Sequence, residues 1–132
     1  MDAHELIKTI REKKVRVVDL RFMDFLGLWQ HFSVPAEKIT AESLQEGFGI
    51  DGSSVRGWQA INESDMVIIL DPATAVMDPF GELPTMIVNC MIVDPVTREN
   101  YARDPRFTAL KAERYLQTSG VGDAAYFGPE AE

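Results

Sequence analysis

Two short stretches hold the residue types from which a reaction could be built. The first is Asp51-Gly52-Ser53-Ser54. Glycine there lets the backbone approach a ligand closely, and a carboxylate beside two hydroxyls can hold a small cation or take a proton from it. The same residues also make an ordinary Asx/Ser turn, which is a common use of them. The stretch sits inside a longer segment, residues 47–58, that holds four of the nine glycines of the chain. Ile50, Val55 and Trp58 would anchor it, and long ordered loops tend to carry function. The second stretch is Glu130-Ala131-Glu132. On a strand, residues two apart share a face, about 7 Å apart at their backbones. Such a carboxylate pair suits a divalent cation that takes oxygen ligands, and like charges so placed are costly without one. Two ligands do not complete a metal site, and a solvated strand end is the plain structural alternative.

Other polar residues read as structural. Asn62 or Ser64 could cap a turn, and Asp65 could form a salt bridge. His4 reads as a solvated helix residue and His31 as a partly exposed strand residue. Cys90, between Val88 and Met91, reads as a core thiol. As the single cysteine it excludes an internal disulfide framework and a cysteine zinc cluster, and it fits a reducing compartment. No Walker A, GxGxxG, HExxH, CxxC or GxSxG motif occurs.

The elements that must position these residues follow from periodicity. Residues 4–13 read as a helix, with Leu6, Ile7 and Ile10 at helical spacing. From residue 15 to 22 the period becomes two: Val18, Leu20 and Phe22 share one face, and Val17, Asp19 and Arg21 the other. Residues 24–27 read as a turn with Gly27 free to take positive φ, and 29–34 as the returning strand of a hairpin. Short helical turns over 36–46 stop at Gly47. Residues 47–58 read as a loop, 65–70 and 85–93 as strands, and 71–79 as a further loop between two Asp-Pro pairs. Asp104 is the expected N-cap and Pro105 the first residue of a helix that stops at Gly120. Residues 124–132 read as one more strand. The order predicts an α+β fold with a mixed sheet in the first hundred residues. The pattern ends inside a strand-like segment, so the expectation is that the natural protein runs on past Glu132.

At 132 residues and 45% hydrophobic, the chain can bury a real core. Thirteen Lys and Arg against 21 Asp and Glu leave a net charge of −8, which disfavours nucleic acid as a partner. The apolar runs are far shorter than the roughly 20 residues a membrane helix needs, and the first fourteen residues hold no signal-like apolar run. The expectation is a cytoplasmic protein with no membrane partner.

The stretches VVDLRFMDFLG, FGIDGSSVRGWQAINESDMV, DPATAVMDPF and YFGPEAE, in this order and spacing, resemble type I glutamine synthetases of the bacterial kind. The resemblance covers essentially the whole chain. It implies a β-grasp-like N-terminal domain over residues 1–103, with residues 104–132 opening a second, catalytic domain. It implies a ligase that joins ammonia to glutamate through γ-glutamyl phosphate, with ATP as co-substrate and Mg2+ or Mn2+ as the metal. It further implies active sites shared between neighbouring subunits of a homo-dodecamer. By this resemblance Asp51 binds ammonium and removes its proton, with Ser54 as companion. Glu130 matches a ligand of the metal that attends the ATP phosphates, and Glu132 a ligand of the metal that attends glutamate. Asp65 matches a residue near that site. The chain alone is expected to be inactive. Two other readings stand beside this one: a related ligase that joins glutamate to a larger amine, and a stand-alone assembly or regulatory module.

Overall fold

The structure is a computed structural model that describes residues 1–58 and 65–130. Helix α1 spans Ala3–Glu12. Asp2 starts it: its carboxylate accepts the Glu5 N–H, and the Glu5 side chain accepts the Asp2 N–H in return. Leu6 and Ile10, one turn apart, are buried against the sheet. Strands β1 (Val17–Met23) and β2 (Trp29–Pro35) form the expected hairpin. Gly27 takes φ +87° in its turn. The buried Asp24 carboxylate locks that turn by accepting the N–H groups of Leu26 and Leu28 and one from the Gln30 side chain. Those bonds hold its acidity constant below the usual carboxylate range, against the opposing effect of burial.

A 3-10 turn (Ala36–Lys38) and helix α2 (Ala41–Glu46) come next, and α2 ends at Gly47 with φ +82°. Strand β3 (Phe48–Asp51), β4 (Asp65–Leu70), a two-residue β5 (Val76–Met77) and β6 (Thr85–Val93) complete the sheet. Its order is β2-β1-β6-β4-β3, with β5 also on β6. Among the described residues only β1 and β6 run parallel; the other pairs are antiparallel. One face of the sheet is apolar and closed. Val18, Leu20 and Phe22 of β1 meet Met86, Val88, Cys90 and Ile92 of β6 and Met66, Ile68 and Leu70 of β4, with α1 over them. This is the α+β arrangement expected.

The structure departs from the sequence expectations at three places. Residues 47–58 are not all loop, because Phe48–Asp51 pairs with β4 as an edge strand. Residues 71–79 contain a 3-10 turn (Pro72–Thr74) and β5. Residues 124–130 form no strand. A strand exists only where a ladder partner takes up its backbone groups, and Tyr126 and Phe127 stand exposed instead.

Helix α3 (Pro105–Ser119) begins and ends as expected, at Asp104 and at a left-handed Gly120. Asp104 is buried; its two carboxylate oxygens accept the N–H of Arg106 and of Ile92, fastening the helix start to β6. Burial raises its acidity constant above the usual range despite these bonds. Phe107, Leu110 and Leu116 are only half-buried, and α3 has no buried residue. No helix among the described residues is long and apolar enough to cross a membrane.

Candidate functional site

The end of β3 is where the chain presents its candidate carboxylate. Gly47 is required where the strand begins. Its φ is +82°, and a Cβ there would stand 2.4 Å from the Ile68 carbonyl and 2.6 Å from the Val67 and Ile69 side chains. Three residues of pairing then carry the chain to Asp51, which lies directly across from Asp65 of β4. Both are exposed. Cross-strand partners share a face at about 5 Å between Cβ atoms, where two carboxylates repel. A cation at this strand end would relieve that repulsion.

Asp51 also caps the 3-10 turn Gly52–Ser54. Its Oδ1 accepts the Ser53 N–H at 2.9 Å and the Ser53 hydroxyl at 2.7 Å, and its Oδ2 accepts the Ser54 hydroxyl at 3.4 Å. The structure therefore brings Asp51 and Ser54 together as expected, and adds Ser53 as the nearer hydroxyl. The Asx/Ser turn and the candidate ligand group are one object: the turn aims the carboxylate, and the residue it aims is exposed to solvent.

The chain beyond the turn is firmly held. Val55 and Trp58 are buried, and the Trp58 ring lies 5.5 Å from Phe22 and 5.3 Å from Tyr101, centroid to centroid. The Trp58 carbonyl accepts two hydrogen bonds, from the Tyr101 hydroxyl at 2.9 Å and Arg103 Nη1 at 2.8 Å. Arg103 Nη1 also reaches the Gly57 carbonyl at 3.0 Å. Sequence reading found the Trp58 anchor but missed Tyr101 and Arg103. They lie more than forty residues away, and no local pattern marks them.

Of the remaining candidates, Asp65 is at this place and Glu130 is not joined to it by any contact among the described residues. Glu130 is exposed in a segment without regular structure, and Glu132, with Asn62, Glu63 and Ser64, lies outside the described residues. The strand on which Glu130 and Glu132 were to share a face is not formed over residues 124–130. Among the described residues no group of three or more His, Cys, Asp or Glu could hold a metal ion. Glu130 offers the hard oxygen that Mg2+ or Mn2+ takes, but one carboxylate is a ligand and not a site. Asp65 forms no ion pair among the described residues, against expectation.

His31 is the partly exposed strand residue expected, and it has a partner that the reading did not foresee. Its Nδ1 lies 2.8 Å from Oδ1 of the buried Asp19, which also accepts from Ser33 and, through Oδ2, from Arg21 Nε. This is an outer-face polar cluster of the hairpin. Cys90 is the buried thiol expected, its acidity constant pushed up by burial to about 12.

The chain can be placed among known proteins. The family model described as "Glutamine synthetase, beta-Grasp domain" matches residues 14–95. The glutamine synthetase of Aquifex aeolicus (strain VF5) is 55% identical over 128 residues, covering 97% of this chain and 27% of that protein. That of Methylococcus capsulatus is 50% identical over 132 residues, covering all of this chain and 28% of the relative. A cryo-EM structure of Plasmodium falciparum glutamine synthetase superposes with a TM-score of 0.81 at 24% identity, over 91% of this chain and 23% of the other, and so supports the fold. The chain spans about a quarter of the length of these relatives. On these matches, it belongs to the glutamine synthetase family and carries that family's beta-grasp domain.

Proposed function

We propose that the chain is the N-terminal part of an ATP-dependent glutamate–ammonia ligase and that it supplies Asp51 to the ammonia step. The observation that carries this reading is the presentation of Asp51. The carboxylate is exposed at the end of an edge strand, oriented by Ser53 and Ser54, opposite a second carboxylate, on a segment whose far end is pinned at Trp58. A small monovalent cation suits such a place, and the same carboxylate can then accept the proton that turns ammonium into ammonia. Ser54, together with Ser53, fixes which lone pairs point outward.

ATP, glutamate and most metal ligands would be held by the three quarters of the relatives' length that this chain does not span. Bound Mg2+ or Mn2+ would offset the charge of the phosphoryl group that activates glutamate. Glu130 and Glu132 would each lend one carboxylate to that array. An exposed Asp51 serves best when a neighbouring subunit brings its reacting groups to it, as the expected ring assembly of twelve subunits would; the cytoplasm is the expected compartment. Residues 104–132 would open the catalytic domain. On this reading the 132-residue chain forms no glutamine alone.

The test is steady-state kinetics of the full-length enzyme carrying Asp51→Asn. The amide keeps the turn but cannot take a proton, so kcat/KM for ammonia should fall about 100-fold or more. The KM values for glutamate and ATP should stay within about twofold. An unchanged ammonia-dependent rate refutes the role of Asp51. Preference of the parent enzyme for putrescine over ammonia would instead make it the larger-amine ligase.

A further inference from the structure

Away from Asp51, α1 and the turn after β2 enclose a groove of about 1050 Å³. One wall is the α1 stripe His4, Ile7, Lys8 and Arg11, spaced three and four residues apart. The opposite wall is the backbone turn from Ala36 to Ala41, and the floor is Ile10, Val15 and Ile39. Ile7 is half-buried and faces this space. The groove exceeds what most small ligands fill, since typical ligand pockets run about 300–1,000 Å³.

Its rim carries the wrong sign for this protein. The chain as a whole is −8, yet the lining holds Lys8, Arg11, Lys14 and Arg16 against Glu12 and Glu37. Glu12 is 3.7 Å from Lys8. Arg11, Lys14 and Arg16 take part in no ion pair among the described residues. Lys14 is moreover held at φ +53°, in the left-handed region that a side chain enters only at a cost. Hydrogen bonds from the N–H of Lys14 to the Arg11 carbonyl and of Val15 to the Ile10 carbonyl fix that turn. A basic side chain is thus kept at the groove's mouth in a backbone conformation that glycine would adopt more easily.

We infer that this groove docks an acidic amphipathic segment of a partner protein, its apolar residues on Ile7 and the floor and its carboxylates on Arg11, Lys14 and Arg16. Apolar floor and cationic rim together define such an occupant: a bare polyanion would leave the floor wet, and an uncharged helix would leave the cations unmet. The inference shares no residue with the Asp51 segment and stands or falls separately from the ammonia reading.

The test is fluorescence anisotropy of the full-length enzyme with a labelled 14-residue Leu/Glu amphipathic peptide. Controls are the Leu/Lys counterpart, an all-Glu peptide and a single-stranded RNA oligomer of equal charge. Saturable binding of Leu/Glu alone, weakening with added NaCl, is expected. The triple variant Arg11→Glu, Lys14→Glu, Arg16→Glu should weaken it about tenfold, at roughly twofold per exposed charge. Ile7→Ser, which leaves the charges intact, should weaken it as well. Circular dichroism confirms that each variant is folded; if the triple variant is not, Ile7→Ser and the salt titration decide. Equal binding of Leu/Lys or all-Glu, tighter binding of the RNA, or no loss in Ile7→Ser overturns the inference. So does concentration-dependent self-association through this face in sedimentation, which would make a second copy the occupant.

Discussion

The carbonyl of Trp58 is the point at which the candidate segment is tied down, and removing its two donors together should cost more than removing each alone. Tyr101→Phe deletes a 2.9 Å hydrogen bond to that oxygen. Arg103→Ala deletes a 2.8 Å bond to it and a 3.0 Å bond to the Gly57 carbonyl. After either change the Trp58 oxygen still has one donor, so Tyr101→Phe should lose about 1 kcal/mol, the usual net worth of such a bond, and Arg103→Ala, which deletes two, about 2 kcal/mol. The double variant leaves the part-buried Trp58 carbonyl without either of its donors among the described residues. Its desolvation then adds about 1–3 kcal/mol. The double variant should thus lose about 4–6 kcal/mol where simple addition gives about 3, a coupling of at least about 1 kcal/mol. Urea unfolding followed by tryptophan emission measures it. Trp58 is buried and Trp29 is 57% exposed, so the emission shift reports chiefly on the segment in question. Additivity within about 0.3 kcal/mol would mean that water serves the carbonyl as well as the side chains do, and the reasoning would fail.

Gly47→Ala should cost at least about 2 kcal/mol, because its Cβ would strike the β4 backbone, whereas Gly57→Ala, at the same φ but in open space, should cost about 1 kcal/mol; urea midpoints that match between the two would contradict the clash. Burial alone would raise the acidity constant of Asp19, but hydrogen bonds from Arg21, His31 and Ser33 outweigh it and hold the carboxyl below the usual range. A lowered carboxyl contributes stability that is present above its unfolded value, near 4, and is lost as pH falls through the folded one. The stability gap between the parent and Asp19→Asn should therefore shrink from pH 5 to pH 2, and a widening gap would refute the assignment. With its thiol pushed up to about 12 and buried, Cys90 should resist a disulfide reagent at pH 8 in native buffer and react only in step with urea unfolding; prompt stoichiometric labelling of the folded chain would show the site open.

The sequence disclosed elements whose information is local. Residues 17–35 alternate, Gly27 marks the turn, and Asp104-Pro105 opens α3, and all three stand where periodicity and capping put them. Strand β3 was hidden because it is four residues long, contains Gly49, and owes its conformation to pairing with β4 rather than to its own propensity. Residues 124–130 alternate well enough to suggest a strand, yet alternation cannot make one without a partner edge. The Asp19 cluster was within reach. Period two put Asp19 and Arg21 on one face, and the hairpin register, symmetric about Leu26, sets Ser33 opposite Asp19 and His31 opposite Arg21. At the site, Asp51 and its serines are contiguous and were legible, while the side chains that hold their segment come from beyond β6.

That distant origin has a structural consequence. After β6 the chain turns through Asp94, whose carboxylate accepts the N–H groups of Val96 and Thr97, and reaches Arg98 at φ +60°. Arg98 Nη1 and Nη2 donate to the carbonyls of Glu46 and Gln45, the last turn of α2. Those are carbonyls that a helix end leaves without partners, and a cation suits them doubly. Five residues on, Arg103 donates to the carbonyls of Gly57 and Trp58. One short stretch, residues 98–103, therefore grips the candidate segment just before β3 and again just past the Ser53–Ser54 turn. Between the two grips lies Asp51, paired to β4 at its backbone and exposed to solvent. In the role proposed for it, Asp51 needs a fixed frame, because a displacement of about 1 Å can cost a hundredfold in rate. The two arginines supply that frame from the loop that follows β6, so the Asp51 segment is held by contacts from that side of the fold and not by the glycine-rich sequence that carries it.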